Sequence, residues 1–149
     1  MTQINRSALV FHSTQQMYDI VNNVHLYPDF LPWCASSTIV SQTDDEMVAT
    51  LQLAKAGLSY SFSTRNTLSA GNKIEFTLEE GPFKHLFGQW QFSVLDDDAC
   101  KVSLNLDFEF SGKVASFAMS KVFAQVANTM VEAFVQRADE IYSNDTKND

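Results

Sequence analysis

Residues 99–111 constrain the fold more than any other segment. Val102, Leu104, Leu106, Phe108 and Phe110 alternate with Ser103, Asn105, Asp107, Glu109 and Ser111. Successive side chains of a β-strand point to opposite faces, so this pattern makes one face apolar and the other wet. Trp90, Phe92 and Val94 alternate with Gln89, Gln91 and Ser93 in the same way, and Ile74, Phe76 and Leu78 with Glu75, Thr77 and Glu79. Strands are therefore expected at 35–43, 46–56, 58–69, 73–80, 88–96 and 99–111. Asp44-Asp45, Ala70-Gly71-Asn72 and Asp96-Asp97-Asp98 supply short turns between them. Links this short join antiparallel neighbours, because a parallel crossover needs about a dozen residues or more. A sheet with one apolar face must be covered.

The cover comes last in the chain. Met119, Val122, Phe123, Val126, Met130, Phe134, Ala138 and Ile141 recur at three- and four-residue steps, which predicts a long helix over 113–142 with one broad apolar stripe. At the other end, 3–12 reads as a first strand. Ser13 and Gln16 have the spacing of a capping box, opening a helix over 14–23 with Met17, Ile20, Val21 and Val24 on its spacing. Pro28 suits the first turn of a second short helix and Pro32 stops it. The expected fold is α+β: a curved antiparallel sheet of six to seven strands wrapped around a long C-terminal helix, with two short helices after the first strand. It forms a single domain over 1–142, followed by a polar, disordered tail over 143–149. If sheet and helix stand apart, an apolar cavity opens between them.

A chain of 149 residues can bury about 68–70% of its unfolded surface, so no metal or disulfide staple is needed. The net charge is −8, and the ten Lys and Arg residues are scattered singly. Phosphate binding needs a clustered basic face, so direct DNA binding is not expected, and membrane contact is transient at most. Cys34 and Cys100 have no metal or redox spacing and read as free thiols of a reducing compartment. The N-terminus lacks a basic region followed by a long apolar run, which points to the cytoplasm. The apolar stretch 114–135 is interrupted by Ser116, Ser120, Lys121, Gln125, Asn128 and Glu132, which rules out a membrane span.

No metal or catalytic site is expected. Asp19, His25 and Asp29 lie close in sequence but read as a solvated surface. Two other segments are more informative. Residues 27–34, YPDFLPWC, set four large apolar side chains around two prolines; they plug the core or also rim a ligand cavity. Residues 81–90, GPFKHLFGQW, begin with strand breakers and then offer Phe83, Leu86 and Phe87. Segments 27–33 and 81–87 are expected at the cavity mouth, with Phe83 and Leu86 as a mobile lid.

YPDFLPWC, the Ser63-Thr64-Arg65 step, GPFKHLFGQW and the helix ending MVEAFVQRADEIY resemble the coenzyme-Q-binding START-like family. That family sits in the polyketide cyclase and lipid-transport superfamily and has a bacterial branch of ribosome association toxins. The likeness spans 1–142. It implies the helix-grip fold and non-catalytic binding of ubiquinone or a related isoprenoid quinone between sheet and helix, in support of respiratory electron transport. Another hydrophobic small molecule would fit the same slot, and no cofactor is required. For the toxin branch it implies binding to the large ribosomal subunit and blocking of subunit association, which inhibits translation initiation.

A quinone with an isoprenoid tail wants a long apolar slot with one or two polar groups at its head. The inward phase of the strands supplies Tyr60, Phe62, Phe76, Trp90, Phe92 and Phe108, and the loop over 81–87 adds Phe83 and Leu86. The helix supplies Phe123, Met130 and Phe134, and the proline segment Phe30, Leu31 and Trp33. Tyr60, Arg65 and Asn66 are the candidate polar partners. Taken singly, each aromatic reads as core before it reads as a ligand contact, since a chain of this length must have a core in any case. For ribosome docking, Lys84, His85 and the end of the long helix are the candidate places. A cyclase or dehydratase would need paired acid–base groups on an apolar face, and no such pair is present. If the long helix lines a slot, Phe134→Ala should cost only about 1–2 kcal/mol, below the usual core range.

Overall fold

The structure, a computed structural model, describes residues 2–112 and 115–147. Strand β1 (Thr2–Val10) leads into helix α1 (Thr14–Asn22) and a 3-10 turn over Val24–Asp29. Six strands follow: β2 (Cys34–Gln42), β3 (Glu46–Lys55), β4 (Leu58–Ser69), β5 (Lys73–Glu80), β6 (Phe83–Asp96) and β7 (Ala99–Phe110). Helix α2 (Ala115–Lys147) closes the chain. The seven strands form one sheet in the order β1-β7-β6-β5-β4-β3-β2, antiparallel throughout. Strands β2 to β7 are a simple meander. Strand β1 joins the far edge beside β7, so residues 11–33 must travel from one edge of the sheet to the other. Helix α1 and the 3-10 turn make that traverse.

Local chemistry explains the short elements. Ser13 Oγ accepts from Gln16 N at 3.1 Å, and Gln16 Oε1 accepts from Ser13 N at 2.9 Å, a complete capping box. Ser37 Oγ donates to Val24 O at 2.9 Å and Ala54 N donates to Trp33 O at 2.8 Å, which ties the traverse to β2 and β3.

Helix α2 lies on the inner face, with its main contacts on β1, β7 and α1. The inner phase of β7 (Val102, Leu104, Leu106, Phe108 and Phe110) is buried throughout, as are Phe123, Val126, Ala127, Phe134 and Ala138 of the helix. Polar bonds fix the helix along its length. Arg6 Nε donates to Asn128 Oδ1 at 2.9 Å, His12 Nε2 pairs with Asp139 Oδ1 at 2.6 Å, and Tyr142 Oη donates to Gln16 O at 3.2 Å.

Three expectations change. Residues 83–87 are strand, not loop: Phe83 pairs with Phe110, and Ser111 N and Oγ both donate to Pro82 O at 2.9 Å. A register shift between Phe83 and His85 lets Phe83 and Leu86, three apart, face the same side. That irregularity hid the strand from a period-two reading. Both residues are buried, so neither is a mobile lid. The last helix also runs beyond 142, taking the backbone of 143–147 with it, while its expected start at 113 and residues 148–149 lie outside the described residues. Finally, Arg65 stands on the outer face, exposed, with Nε and Nη2 donating to Glu79 at 3.0 and 2.9 Å. It shares a strand with inward-facing Thr64 and Asn66, and a one-residue step reverses the face.

Both thiols are buried and unbridged, and burial pushes the Cys34 pKa up to about 11. Among the described residues no helix is long and apolar enough to cross a membrane.

Gly88 marks the tightest backbone approach. A Cβ there would lie 2.2 Å from Asn105 O on β7 and 2.9 Å from Phe76 Cζ, whose ring covers the glycine from β5. Gly88→Ala should destabilise the protein by about 3 kcal/mol, as an overpacked core position with backbone as its neighbour. Urea melts of the variant against wild type measure this, and an unchanged midpoint would show that β6 and β7 can separate locally.

Candidate functional cavity

The inner face carries two aromatic clusters. Toward the start of α2, Phe123 meets Phe108 at 4.7 Å and Phe83 at 5.1 Å between ring centres, and Phe83 stacks on Phe110 at 4.2 Å. Phe62 joins the group at 5.8 Å from Phe123. Toward its end, Phe134 meets Trp90 at 5.2 Å, Tyr27 at 5.3 Å and Phe30 at 5.7 Å. The eleven-residue step from Phe123 to Phe134 is about 16 Å of helix. Between the clusters α2 presents Val126, Ala127 and Met130, and the sheet opposite presents Ala49, Thr64 and Asn66. Small side chains face each other there, and a cavity of about 90 Å3 remains.

Its walls are mostly apolar. Val21, Val24, Tyr27 and Trp33 close it from the traverse; Leu51, Phe62, Ile74 and Phe76 from β3, β4 and β5; Leu86, Trp90, Leu104 and Leu106 from β6 and β7; and Phe123 from α2. The lining residues with polar side chains are Asn22, Thr64, Asn66 and Tyr27. The Tyr27 hydroxyl donates to Val21 O, and burial pushes its pKa well above the ordinary phenol range. Thr64 Oγ1 donates to Asn66 Oδ1 at 2.8 Å. Asn22 Oδ1 is buried without a partner, and leaving such an acceptor unpaired costs about 1–3 kcal/mol. Among the described residues no carboxylate, imidazole or ammonium lines this space, and no three metal-ligating side chains gather anywhere. The polar side chains of the lining are two carboxamides and two hydroxyls, and the Tyr27 proton is already given to Val21 O.

The fifteen candidate contacts divide by place. Trp33, Phe62, Phe76, Leu86, Trp90, Phe123 and Met130 line the cavity. Leu31, Phe83, Phe92, Phe108 and Phe134 are buried in the packed core around it. Tyr60 packs on Phe110 at 5.6 Å, and its buried hydroxyl has no partner. Phe30 sits outside, under the Arg137 guanidinium at 5.1 Å, in a separate groove between α1 and the end of α2. Arg65 is on the opposite face of the sheet. A search for aromatics passes over Asn22, Ala49, Thr64 and Ala127, because space is left where side chains are small. The usable signal was phase: Ala49 and Leu51 share the inward phase of β3, and Leu104 and Leu106 that of Phe108.

Of the candidate docking residues, Lys84 is exposed and 3.5 Å from Glu109, and the half-buried His85 ring lies 5.9 Å from Phe87. Asp19, His25 and Asp29 are exposed, and Asp19 accepts from Gln15 Nε2 at 2.8 Å.

Residues 10–135 match the family described as polyketide cyclase/dehydrase and lipid transport. The chain is 46% identical over 143 residues to a ribosome association toxin, RatA, of Escherichia coli strain K12, covering 96% of this chain and 90% of that one. It is 28% identical over 144 residues to a mitochondrial coenzyme Q-binding protein, COQ10 homolog B, of Xenopus laevis, covering 94% of this chain and 59% of that one. Among solved structures, the ZhuI aromatase/cyclase of Streptomyces sp. R1128 superposes with a TM-score of 0.82 over 93% of each chain at 18% identity, a likeness of fold.

The packing reverses the expectation for Phe134. It is fully buried against three rings rather than set beside open space. Phe134→Ala should cost about 3–5 kcal/mol, and Met130→Ala, whose side chain borders an existing void, less than about 2 kcal/mol. Denaturant melts of the two variants measure the difference, and equal losses would mean that the cavity does not relieve packing at Met130.

Proposed function

The chain belongs to the polyketide cyclase/dehydrase and lipid-transport family, and from that premise we propose that it acts as a ribosome-binding protein of the toxin branch. In this reading it engages the large subunit and hinders subunit association, without catalysing a reaction. The observation that carries the reading is the 46% identity running end to end with a relative named for ribosome association. Cavity size supports it. About 90 Å3 is less than the roughly 150 Å3 of an engineered cavity that holds benzene. A quinone ring with its tail would have to lift α2 from the sheet, whereas a surface interaction needs no such opening. With a net charge of −8, docking through protein surfaces is favoured over broad phosphate contact.

Added to cell extract, the protein should travel with large subunits in a sucrose gradient and raise the proportion of free subunits. Affinity should change little between about 50 and 200 mM salt, since few phosphates are contacted. Failure to co-sediment would remove this reading.

A second reading, binding of an isoprenoid quinone or other hydrophobic small molecule, is favoured by the apolar walls and by the coenzyme Q-binding relative. Mass spectrometry of organic extracts from the purified protein tests it. Ala127→Leu separates the two readings, because the added side chain fills the cavity from α2 and leaves the outer surface alone. The variant should lose any co-purifying lipid and keep its ribosome association. Loss of both would mean that the cavity controls the docking surface.

A further inference from the structure

Among the described residues seven large apolar side chains stand exposed, and four of them, Leu9, Phe11, Val94 and Leu95, meet at one corner of the sheet. Strands β1 and β6 flank β7 there. Val10 and Val94 both lie opposite Cys100, and Leu9 and Ser93 both lie opposite Lys101. The ends of β1 and β6 therefore stand level, two strand spacings or about 10 Å apart. The fold holds this corner out in solvent. Phe11 is 90% exposed, yet its neighbours Val10 and His12 are buried, and His12 Nε2 is tied to Asp139 Oδ1 of α2 at 2.6 Å. A register shift between Val94 and Asp96 leaves Leu95 unpaired in the ladder and exposed beside the β6–β7 turn. That turn is Asp96-Asp97-Asp98, exposed at all three positions, and the Asp139 side chain is exposed on the helix side. Within 7–12 and 93–101 the only Lys or Arg is Lys101. The corner is an apolar patch with an acidic rim.

We propose that this corner is the docking surface of the protein, and that its occupant is a basic protein segment with apolar side chains, displayed on the large ribosomal subunit. The proposal rests on the ribosome-binding reading above and gives that reading a place on the molecule. Charge decides among the possible occupants. Asp96, Asp97, Asp98 and Asp139 outnumber Lys101, so the rim repels a phosphate backbone and an anionic membrane surface. It also repels a second copy of itself, which a two-fold dimer through this corner would bring face to face. Lys and Arg of a protein partner are attracted at the rim, while its apolar side chains cover Phe11 and the residues around it. Contiguous exposed apolar side chains rimmed by polar groups mark such interfaces, and an aromatic side chain is a common anchor. The salt response stays shallow, because exposed carboxylate–ammonium pairs are individually weak and no row of phosphate counterions is released.

Sedimentation of the full chain with purified large subunits tests the surface. Phe11→Ser combined with Leu95→Thr should weaken association by about tenfold. Asp97→Lys combined with Asp98→Lys should weaken it by about threefold. Both pairs should keep the wild-type melting temperature, since all four side chains are exposed. Val40→Thr, at an exposed apolar position on β2 at the opposite edge of the sheet, should leave association unchanged. A photoreactive benzophenone side chain in place of Phe11 identifies the occupant, and it should crosslink to a protein of the large subunit. The crosslink does not depend on the paired variants, so a folding failure there would not blunt the test. Crosslinking to ribosomal RNA or to a second copy would overturn the assignment of the partner. Undiminished association of both pairs, or an equal loss with Val40→Thr, would overturn the corner and leave the ribosome-binding reading intact. Failure of the wild-type chain to sediment with large subunits would overturn both.

Discussion

The structure depends on one contact: the inner face of β7 against α2, centred on Phe108 and Phe123. A seven-stranded sheet with one apolar face has a single long helix to cover it. The helix is about 10 Å across with its side chains, and the strands are spaced by about 4.8 Å, so it can shield only part of the sheet. It settles on β1 and β7, where β7 offers a row of five buried apolar side chains, and polar bonds from Arg6, His12 and Gln16 hold it there. The traverse that joins β1 to β2 adds to this cover: the 3-10 turn packs on β2, and helix α1 on β6, β7 and α2.

The cavity is a consequence of that division. Aromatic rings close the two ends of the grip, where they bury large areas and meet edge to face. Between them α2 turns Ala127 toward Ala49 and Thr64, and small side chains cannot meet across the gap. Packing of this kind lets the fold retain a space without losing its core. It also explains why the neighbours of the cavity differ in their expected sensitivity to truncation: Phe134 is held by three rings, whereas Met130 borders open space.

The same division separates two surfaces on which function can act. The inner surface is small and neutral. Its polar side chains are carboxamides and hydroxyls, and among the described residues none that lines it carries charge near neutral pH. The outer surface of the sheet is polar and ionic, with Arg65 between Glu46 and Glu79 and Lys84 beside Glu109.

The amino-acid sequence determined the architecture because its signals are local and periodic. The alternation in β5, β6 and β7, the Ser13 and Gln16 cap and the stripe of α2 each specify an element without reference to the rest. Short turns left little choice but an antiparallel meander. Where local signals break, tertiary structure decided. The register shift after Phe83 turned an apparent loop into strand, because cross-strand pairing with Phe110 outweighs the alternation rule. Arg65 was legible as polar but not as outward, since a one-residue step reverses the face. The cavity lining was least legible of all. A void is defined by what is absent between residues far apart in sequence, here Asn22, Ala49, Asn66 and Ala127, and no local pattern records how far apart two layers will stand.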